Sequence, residues 1–275
     1  MKKKCLSNTQ IKMMIGCPRQ YSYAYIEKAE RRERDTTKMD MGSLLHLSVI
    51  YPDSFHYISQ YLWQNDENKK LIDNVIDAQP NDVWKYGDRD IELQGEQKVK
   101  MIELGFKEKY TLEAVSIARK LPHDKIKTVK FWLDILTTSK KYKDFKIKEH
   151  DLNIFCDIDD NYSLFSKLDA IGKDKIIIDW KTGNIDPEKE IQHNTYFYAY
   201  YKKYGELPKE FLYVQIKTSG IKIFPIKPQK HHFYTFLSCV KKFHEEMTKK
   251  EFLAKPEYLK CKFCDFNHIC PNSLT

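Results

Sequence analysis

The first fifty residues place their apolar side chains at helical spacing. The run Ser-Asn-Thr-Gln at positions 7–10 is typical of a capping box, and the apolar residues after it fall on one face of a helix. Pro18 suits the first turn of a second helix. The charged, aperiodic stretch 31–40 predicts an exposed loop, after which an apolar helix begins at Met41.

Helical spacing continues from Pro52 to about Lys141. Amphipathic stretches cover residues 55–75, 97–121 and 129–138. We interpret this part of the chain as a helical subdomain inserted into the core.

Short β-type runs replace the helical pattern near Phe145. Three of them follow one another, and Gly172 opens a tight turn between the second and the third. The predicted elements are strands at 147–157, 162–172, 175–181, 211–217 and 221–226, and helices at 187–204 and 228–252. This order predicts an α/β fold with a mixed central sheet flanked by helices.

These patterns divide the chain into four predicted parts. Residues 1–51 hold the N-terminal helices and 52–144 the helical insertion. Residues 145–252 form the α/β core, and 253–275 form a C-terminal segment rich in cysteine.

The composition is that of a folded chain with a basic surface. Hydrophobic residues make up 41% and aromatic residues 13% of the 275 positions, which excludes a disordered chain. The formal net charge of +8 favours a polyanionic partner such as nucleic acid, although many basic proteins bind nothing acidic. No apolar run follows the basic start Met1 to Lys4, and none approaches the roughly 18 residues of a membrane span. We therefore expect a cytoplasmic protein without a membrane partner.

Four of the seven cysteines have the spacing of a metal site. Cys261, Cys264 and Cys270 form a C-x2-C-x5-C cluster, and Cys17 stands near the other end of the chain. Four thiolates favour an iron–sulfur cluster or zinc, and spacing alone does not separate the two. The odd number of cysteines argues for a reducing compartment and against a disulfide framework. The other three lack a spaced partner set and are predicted to be bystanders: Cys5, Cys156 and Cys239. For Cys5 the weaker alternative is that it substitutes for one of the four ligands.

The strand at 175–181 ends in the tripeptide Asp179-Trp180-Lys181. Because side chains alternate along a strand, Asp179 and Lys181 project to the same side. If this strand pairs with 162–172 as a hairpin, Asp169 lies near Asp179. Two carboxylates beside an ammonium can hold Mg²⁺ or Mn²⁺, while the lysine orients or helps to deprotonate an attacking water.

The alternative is that Asp169 and Asp179 are strand-end residues and Lys181 is a solvated partner. D-x-K is a common tripeptide, and by itself it would favour that alternative. The apolar run 176–178 drives this strand into the core, where a charge needs a compensating role. The context therefore favours a metal-dependent hydrolytic site.

Taken in order, the motifs resemble the RecB-like branch of the PD-(D/E)xK nuclease superfamily, which has a restriction-endonuclease-like core. Its iron–sulfur members include AddB-type recombination nucleases and CRISPR-associated exonucleases. The matching segments are Cys17-Pro18-Arg19, the G-x-x-x-H motif at 42–46, Asp169, the run Asp-Trp-Lys-Thr-Gly at 179–183, the Q-x-x-x-Y motif at 192–196 and the closing cysteine triad. The second acidic residue is aspartate where this branch also uses glutamate, and the helical insertion is longer than in the smallest CRISPR-associated members.

The resemblance implies a role for each matched residue. His46 would be a metal ligand through one imidazole nitrogen, although a single histidine on an apolar helix is more often a core residue. Gln192 and Tyr196 lie on one helix face, from which they would contact the same phosphate or brace Lys181; ordinary helix packing is the alternative. Trp180 would offer its backbone carbonyl to the metal. For the four cysteines the resemblance favours a structural 4Fe–4S cluster that joins the termini, with zinc as the alternative.

The resulting hypothesis is a DNA nuclease dependent on Mg²⁺ or Mn²⁺, an exonuclease that hydrolyses phosphodiester bonds at DNA ends or in single strands. Its catalytic residues would be Asp169, Asp179, Lys181, Gln192 and Tyr196, with His46 as a further metal ligand. The alternative is a DNA-binding or assembly partner in recombination, replication or CRISPR adaptation, which would associate with a partner such as an integrase. A zinc-stapled binding module without chemistry would require the acidic motif to be a coincidence.

Overall fold

One mixed sheet organises the computed structural model, which describes residues 3–33, 35–79, 95–106 and 108–275. Within these ranges the sheet has six strands: β1 (Lys4–Ser7), β2 (Glu149–Asp157), β3 (Tyr162–Ile171), β4 (Ile176–Lys181), β5 (Glu210–Lys217) and β6 (Gly220–Ile226). Strand β3 pairs in parallel with β1 and antiparallel with β2 and β4. Strand β4 pairs in parallel with β5, which pairs antiparallel with β6.

Helices cover both faces of the sheet. In the described part of the chain they are α1 (Asn8–Gly16), α2 (Pro18–Tyr21), α3 (Thr37–Ile50), α4 (Ser54–Leu62), α5 (Asp66–Asp77), α6 (Gly95–Glu103), α7 (Lys109–Ala118), α8 (His123–Thr138), α9 (Lys140–Asp144), α10 (Gln192–Tyr204), α11 (Lys230–Lys249) and α12 (Tyr258–Lys262). A π-helical turn, Ser22–Ile26, extends α2. None of the described helices is long and apolar enough to cross a membrane.

Successive side chains of β4 point to opposite faces of the sheet, and each face is covered by a different layer of helices. Ile177 packs with α1, α10 and α11 on one face, in a core that includes Phe197 and Phe243. Ile178 and Trp180 point to the other face, where α3, α7 and α8 cover the sheet. The helices of the predicted insertion therefore supply most of one layer, since burial of their apolar faces against the sheet stabilises both.

The turn between β3 and β4 is packed against the end of α9. A Cβ at Gly172 would lie 2.7 Å from the carbonyl oxygen of Phe145, so only glycine allows this approach. The next residue, Lys173, donates its backbone amide to the same carbonyl at 2.9 Å. Asp174 and Lys175 then adopt left-handed φ angles of 60° and 63°, which reverse the chain.

The structure confirms the mixed sheet, the β3–β4 hairpin and the capping box at Ser7. Other element predictions were wrong. The helix at 187–204 begins only at Gln192, and α3 begins at Thr37, inside the predicted loop. Strand β1 was missed because four residues next to a basic start show too little alternation to predict a strand.

Candidate active site and cysteine cavity

Asp169 and Asp179 meet where strands β3 and β4 separate. The paired positions end at Ala170 and Ile178, so the two acidic residues follow directly on adjacent strands. The Oδ2 atom of Asp169 accepts a hydrogen bond from the backbone amide of Trp180 at 3.0 Å. The hairpin that was predicted from the sequence therefore brings the two carboxylates together. Asp169 links the separating strands through its hydrogen bond with the backbone amide of Trp180.

Lys181, Asp179 and Gln192 form a closed polar network. Lys181 Nζ lies 2.8 Å from Asp179 Oδ2, and it donates a hydrogen bond to Gln192 Oε1 at 2.9 Å. Gln192 Nε2 donates in turn to Asp179 Oδ1 at 2.8 Å. The network fixes both carboxylate oxygens of Asp179 and the direction of the lysine, because each group is held by two partners.

Tyr196 extends this network from α10 to β3. Its hydroxyl accepts a hydrogen bond from Gln192 Nε2 at 2.8 Å and donates one to the backbone carbonyl of Lys167 at 2.7 Å. Burial raises the pKa of the Tyr196 phenol well above its ordinary value, so the hydroxyl stays protonated. Tyr196 therefore holds the side chain of Gln192 in place. The two residues are one helical turn apart, as the Q-x-x-x-Y motif predicts.

Asp179 is a buried carboxylate whose negative charge is only partly compensated, by Lys181. It is only 1% exposed. Burial raises the pKa of its carboxyl, the neighbouring charge of Asp169 raises it further, and Lys181 acts in the opposite direction. Although burial lowers the pKa of Lys181, the carboxylate of Asp179 more than offsets this and leaves it above its usual value. A divalent cation would remove the repulsion between the two carboxylates.

His46 reaches the acidic pair from α3. Its Nε2 atom lies 3.8 Å from Asp169 Oδ1 and 3.4 Å from Asp151 Oδ1. Helix α3 approaches the end of β4 closely, since a Cβ at Gly42 would lie 3.4 Å from Thr182 Oγ1. A Cβ at this distance makes an ordinary van der Waals contact, so the approach of α3 does not by itself require a glycine at position 42.

Sequence reasoning missed Asp151, Lys167 and Glu113. Lys167 Nζ lies 3.1 Å from Asp151 Oδ2, beside His46. Burial raises the pKa of the Glu113 carboxyl, while the charges of Lys109 and Lys167 oppose this shift. The sequence carried only a coarse signal for Asp151, because pairing the predicted strands 147–157 and 162–172 end to end sets Leu168 opposite it, one residue away from Asp169.

The donor set at this site fits a hard divalent cation. The oxygens of Asp169 and Asp179 and the nitrogen of His46 are ligands that Mg²⁺ and Mn²⁺ accept. His46 Nε2 is buried and has no hydrogen-bond partner among the described residues. In that part of the chain no group of three or more His, Cys, Asp or Glu side chains is already placed to hold a single metal ion. Metal binding would therefore require these side chains to move. The metal would then provide a partner for the buried His46 Nε2, which makes no hydrogen bond within the described residues.

The four motif cysteines line one cavity, although Cys17 is far from the others in sequence. The cavity has a volume of about 160 Å³. Two of the sulfurs accept backbone amide hydrogen bonds: Lys255 donates to Cys17 Sγ at 3.4 Å, and Phe266 donates to Cys264 Sγ at 3.5 Å. The other three cysteines do not line this cavity and lie on β1, β2 and α11: Cys5, Cys156 and Cys239.

Polar contacts join the N-terminal and C-terminal segments around this cavity. Arg32 Nη2 donates to the carbonyl of Lys262 at 2.7 Å, and the backbone amide of Arg32 donates to the carbonyl of Asp265 at 2.9 Å. The ring of Tyr23 packs against Phe266, with 5.6 Å between the ring centroids. The two segments are thus held together by protein contacts, which bring Cys17 to the same cavity as the other three cysteines.

The family of the chain follows from comparison with known proteins. Residues 5–271 match the model of the PD-(D/E)XK nuclease superfamily, and the chain therefore belongs to this superfamily of nucleases. Mg²⁺ or Mn²⁺ is the general cofactor of its members, and DNA is the substrate that the family implies.

Phage proteins are among the relatives of the chain. It is 24% identical over 294 residues to the Gene 69 protein of Mycobacterium phage L5, covering 96% of this chain and 95% of that protein. It is 35% identical over 97 residues to the Gene 69 protein of Mycobacterium phage D29, covering 34% of this chain and 36% of that one. The crystal structure of a putative exonuclease from Eubacterium rectale superposes with a TM-score of 0.52 at 11% identity, covering 96% of this chain and 87% of that one. This last similarity concerns the fold.

Proposed function

We propose that the chain is a divalent-metal-dependent exonuclease that hydrolyses phosphodiester bonds at DNA ends or in single-stranded DNA. The observation that supports this most strongly is the network of Lys181, Gln192 and Asp179 beside Asp169. It presents a fixed ammonium next to two carboxylates, an arrangement that suits metal-dependent cleavage of a phosphodiester. The exonuclease assignment draws on the motifs and on the description of the Eubacterium rectale protein, and the net charge of +8 suits a DNA substrate.

The proposed metal ligands are Asp169, Asp179, His46 and the backbone carbonyl of Trp180. The carbonyl and the amide of a strand residue point to the same side, and the amide of Trp180 is bonded to Asp169. Its carbonyl therefore faces the same gap between the strands. A bound Mg²⁺ or Mn²⁺ would lower the pKa of a water and offset the charge on the phosphate.

Lys181 would orient the attacking water and stabilise charge that develops on the phosphate. Its side chain is partly exposed, at 31%, so the ammonium borders solvent as well as Asp179. Gln192 would hold the lysine in this direction, and Tyr196 would hold Gln192. Such fixed donors act without reorganisation during the reaction, which is the usual origin of electrostatic catalysis.

For the four cysteines we propose a 4Fe–4S cluster with a structural role. Zinc binds thiolates at about 2.3 Å, which would bring the four sulfurs within about 4 Å of one another. The four cysteines line, together with other residues, a cavity of about 160 Å³, which has room for a polyatomic group. Zinc remains the alternative, and iron and zinc analysis of protein purified without oxygen separates the two.

The test of the nuclease function is cleavage of end-labelled linear, single-stranded and circular DNA with Mg²⁺, Mn²⁺ or EDTA. We expect metal-dependent release of nucleotides from linear DNA and little cleavage of covalently closed circles. The matched control is Asp179→Asn, which keeps the volume of the side chain and removes its charge. Binding of DNA without cleavage by the wild-type protein would contradict the proposal and favour the role of a DNA-binding partner.

A further inference from the structure

Asp151 stands in line with the two acidic residues of the D-x-K hairpin. In the β2–β3 pairing, His150 lies opposite Ala170 and Leu152 opposite Leu168, so the position opposite Asp151 is Asp169. Continuing the β3–β4 register by one residue sets Asp169 opposite Asp179. The register therefore sets the three residues at neighbouring positions on three adjacent strands, which lie about 5 Å apart.

The backbone of Asp151 departs from its strand at this position. Its φ angle is +52°, in the left-handed region that side chains other than glycine rarely adopt. The pair Asp151 and Asp169 is also missing from a ladder that is otherwise continuous on both sides. A residue held in this conformation costs roughly 1–3 kcal/mol, and such residues concentrate at functional sites.

The side chain of Asp151 directs one oxygen to Lys167 and the other to His46. Oδ2 lies 3.1 Å from Lys167 Nζ, and Oδ1 lies 3.4 Å from His46 Nε2. Both Oδ1 and Nε2 are buried, and neither has a hydrogen-bond partner among the described residues. Asp169 Oδ1 lies 3.8 Å from the same nitrogen. Two carboxylate oxygens, one from Asp151 and one from Asp169, thus lie within 4 Å of the same imidazole nitrogen.

These separations suit a common ion. Mg²⁺ binds its ligands at about 2.0–2.1 Å, which leaves two ligands of one ion about 3–4 Å apart. We propose that Asp151 is a further protein ligand of the divalent cation, which it binds through Oδ1 together with His46 and Asp169. The inference rests on the proposed function, since it concerns the same metal site. Small movements of these side chains would complete the coordination.

Lys167 has a consistent place in this arrangement. Its ammonium holds Asp151 Oδ2, which leaves Oδ1 directed at His46, and its backbone carbonyl accepts the hydroxyl of Tyr196. Lys167 therefore connects the third carboxylate to the network of Gln192 and Asp179. In this role it orients Asp151 and does not itself contact the metal.

The test is Mn²⁺ binding by the purified full chain, measured by electron paramagnetic resonance and by calorimetry. Asp151→Asn keeps the size of the side chain and removes its charge, and we expect it to weaken Mn²⁺ affinity by about tenfold or more. The control is Asp157→Asn on the same strand, where the carboxylate is 67% exposed and pairs only with Lys3 among the described residues. It should bind Mn²⁺ like the wild type.

A second variant separates a ligand from a structural anchor. Lys167→Met removes the cationic partner of Asp151 and leaves the carboxylate free. If Asp151 is a ligand that Lys167 orients, Asp151→Asn lowers the Mn²⁺ affinity by about tenfold or more, and Lys167→Met lowers it less because the carboxylate remains. If Asp151 only anchors Lys167, both variants lower the melting temperature equally in EDTA and neither changes Mn²⁺ affinity, which would overturn the inference.

The failure of this inference is distinguishable from the failure of the proposed function. A wild-type protein that neither binds Mn²⁺ nor cleaves DNA contradicts the metal-dependent nuclease itself. A wild-type protein that does both, together with an Asp151→Asn variant of unchanged Mn²⁺ affinity, contradicts only the ligand role of Asp151.

Discussion

Gln192 Nε2 lies 2.8 Å from Asp179 Oδ1, so a helix residue directly holds the buried acidic residue of the D-x-K strand. The oxygen of the same amide accepts a hydrogen bond from Lys181. One side chain therefore fixes the proposed metal ligand and the proposed catalytic lysine relative to each other. The integrity of this contact is central to the predictions below.

Asp179→Ala and Lys181→Ala should each abolish cleavage and leave DNA binding largely intact. Removal of a metal ligand, or of the charge beside the phosphate, should lower the rate by about 10²-fold or more. The measurement is single-turnover cleavage of end-labelled DNA, with circular dichroism to verify folding. Lys175→Ala is the control, because its ammonium is exposed and pairs with Glu206 away from the site. Wild-type turnover by either site variant would disprove the assignment.

Tyr196→Phe should lower stability and catalytic rate together. It removes one hydroxyl that bridges Gln192 and the Lys167 carbonyl, at an expected cost of about 1–3 kcal/mol because buried partners are left unsatisfied. Gln192→Leu should also lower both stability and rate, because it leaves Asp179 Oδ1 without its amide donor and Lys181 without its amide acceptor. Thermal unfolding and single-turnover rates check both variants, and a Tyr196→Phe protein as stable and active as the wild type would show that the network is not required.

His46→Ala should weaken activity through metal affinity. Because the ring nitrogen lies 3.8 Å from Asp169 Oδ1, its loss should raise the Mn²⁺ concentration needed for half-maximal cleavage. Excess Mn²⁺ should then partly restore the rate. A metal titration identical to that of the wild type would assign His46 to packing against Trp180, whose ring centroid is 5.7 Å away.

Substitution by serine of any one of the four cavity cysteines should have the same outcome. A site with four thiolates loses its cofactor when one is removed, so each variant should lose its iron, its brown colour and several degrees of melting temperature. Cys239→Ser on α11 is the control and should keep all three properties. A colourless wild-type protein with one zinc per chain would overturn the cluster and leave the nuclease proposal intact.

Gly172→Ala should destabilise the hairpin that carries the two carboxylates. The added methyl group would lie 2.7 Å from the Phe145 carbonyl, so the turn must move at a cost of about 1–3 kcal/mol. Chemical denaturation measures the loss. Gly183→Ala is a suitable control, since a Cβ there meets nothing within 4 Å, and an equal stability of the two variants would contradict the packing argument.

Much of the site could be predicted from the sequence because its parts are local. The alternation along β4 places Asp179 and Lys181 on one side, and one helical turn aligns Gln192 with Tyr196. The hairpin with Asp169 needs only a short turn at Gly172. Each of these relationships depends on a few neighbouring residues, whose periodicity is written in the sequence.

Asp151 and Cys17 illustrate how the tertiary structure brings together residues that are distant in the sequence. Asp151 has no motif around it, and its position beside His46 depends on the register of β2 and on the packing of α3 against the sheet. Cys17 reaches the closing cysteines because the N-terminal and C-terminal segments pack together. The sequence by itself determined the local geometry of the acidic motif and the residue types of both sites. The tertiary structure decided which distant residues lie beside these sites. Contacts between residues far apart in the chain depend on the burial of apolar faces, which selects one among many compact arrangements.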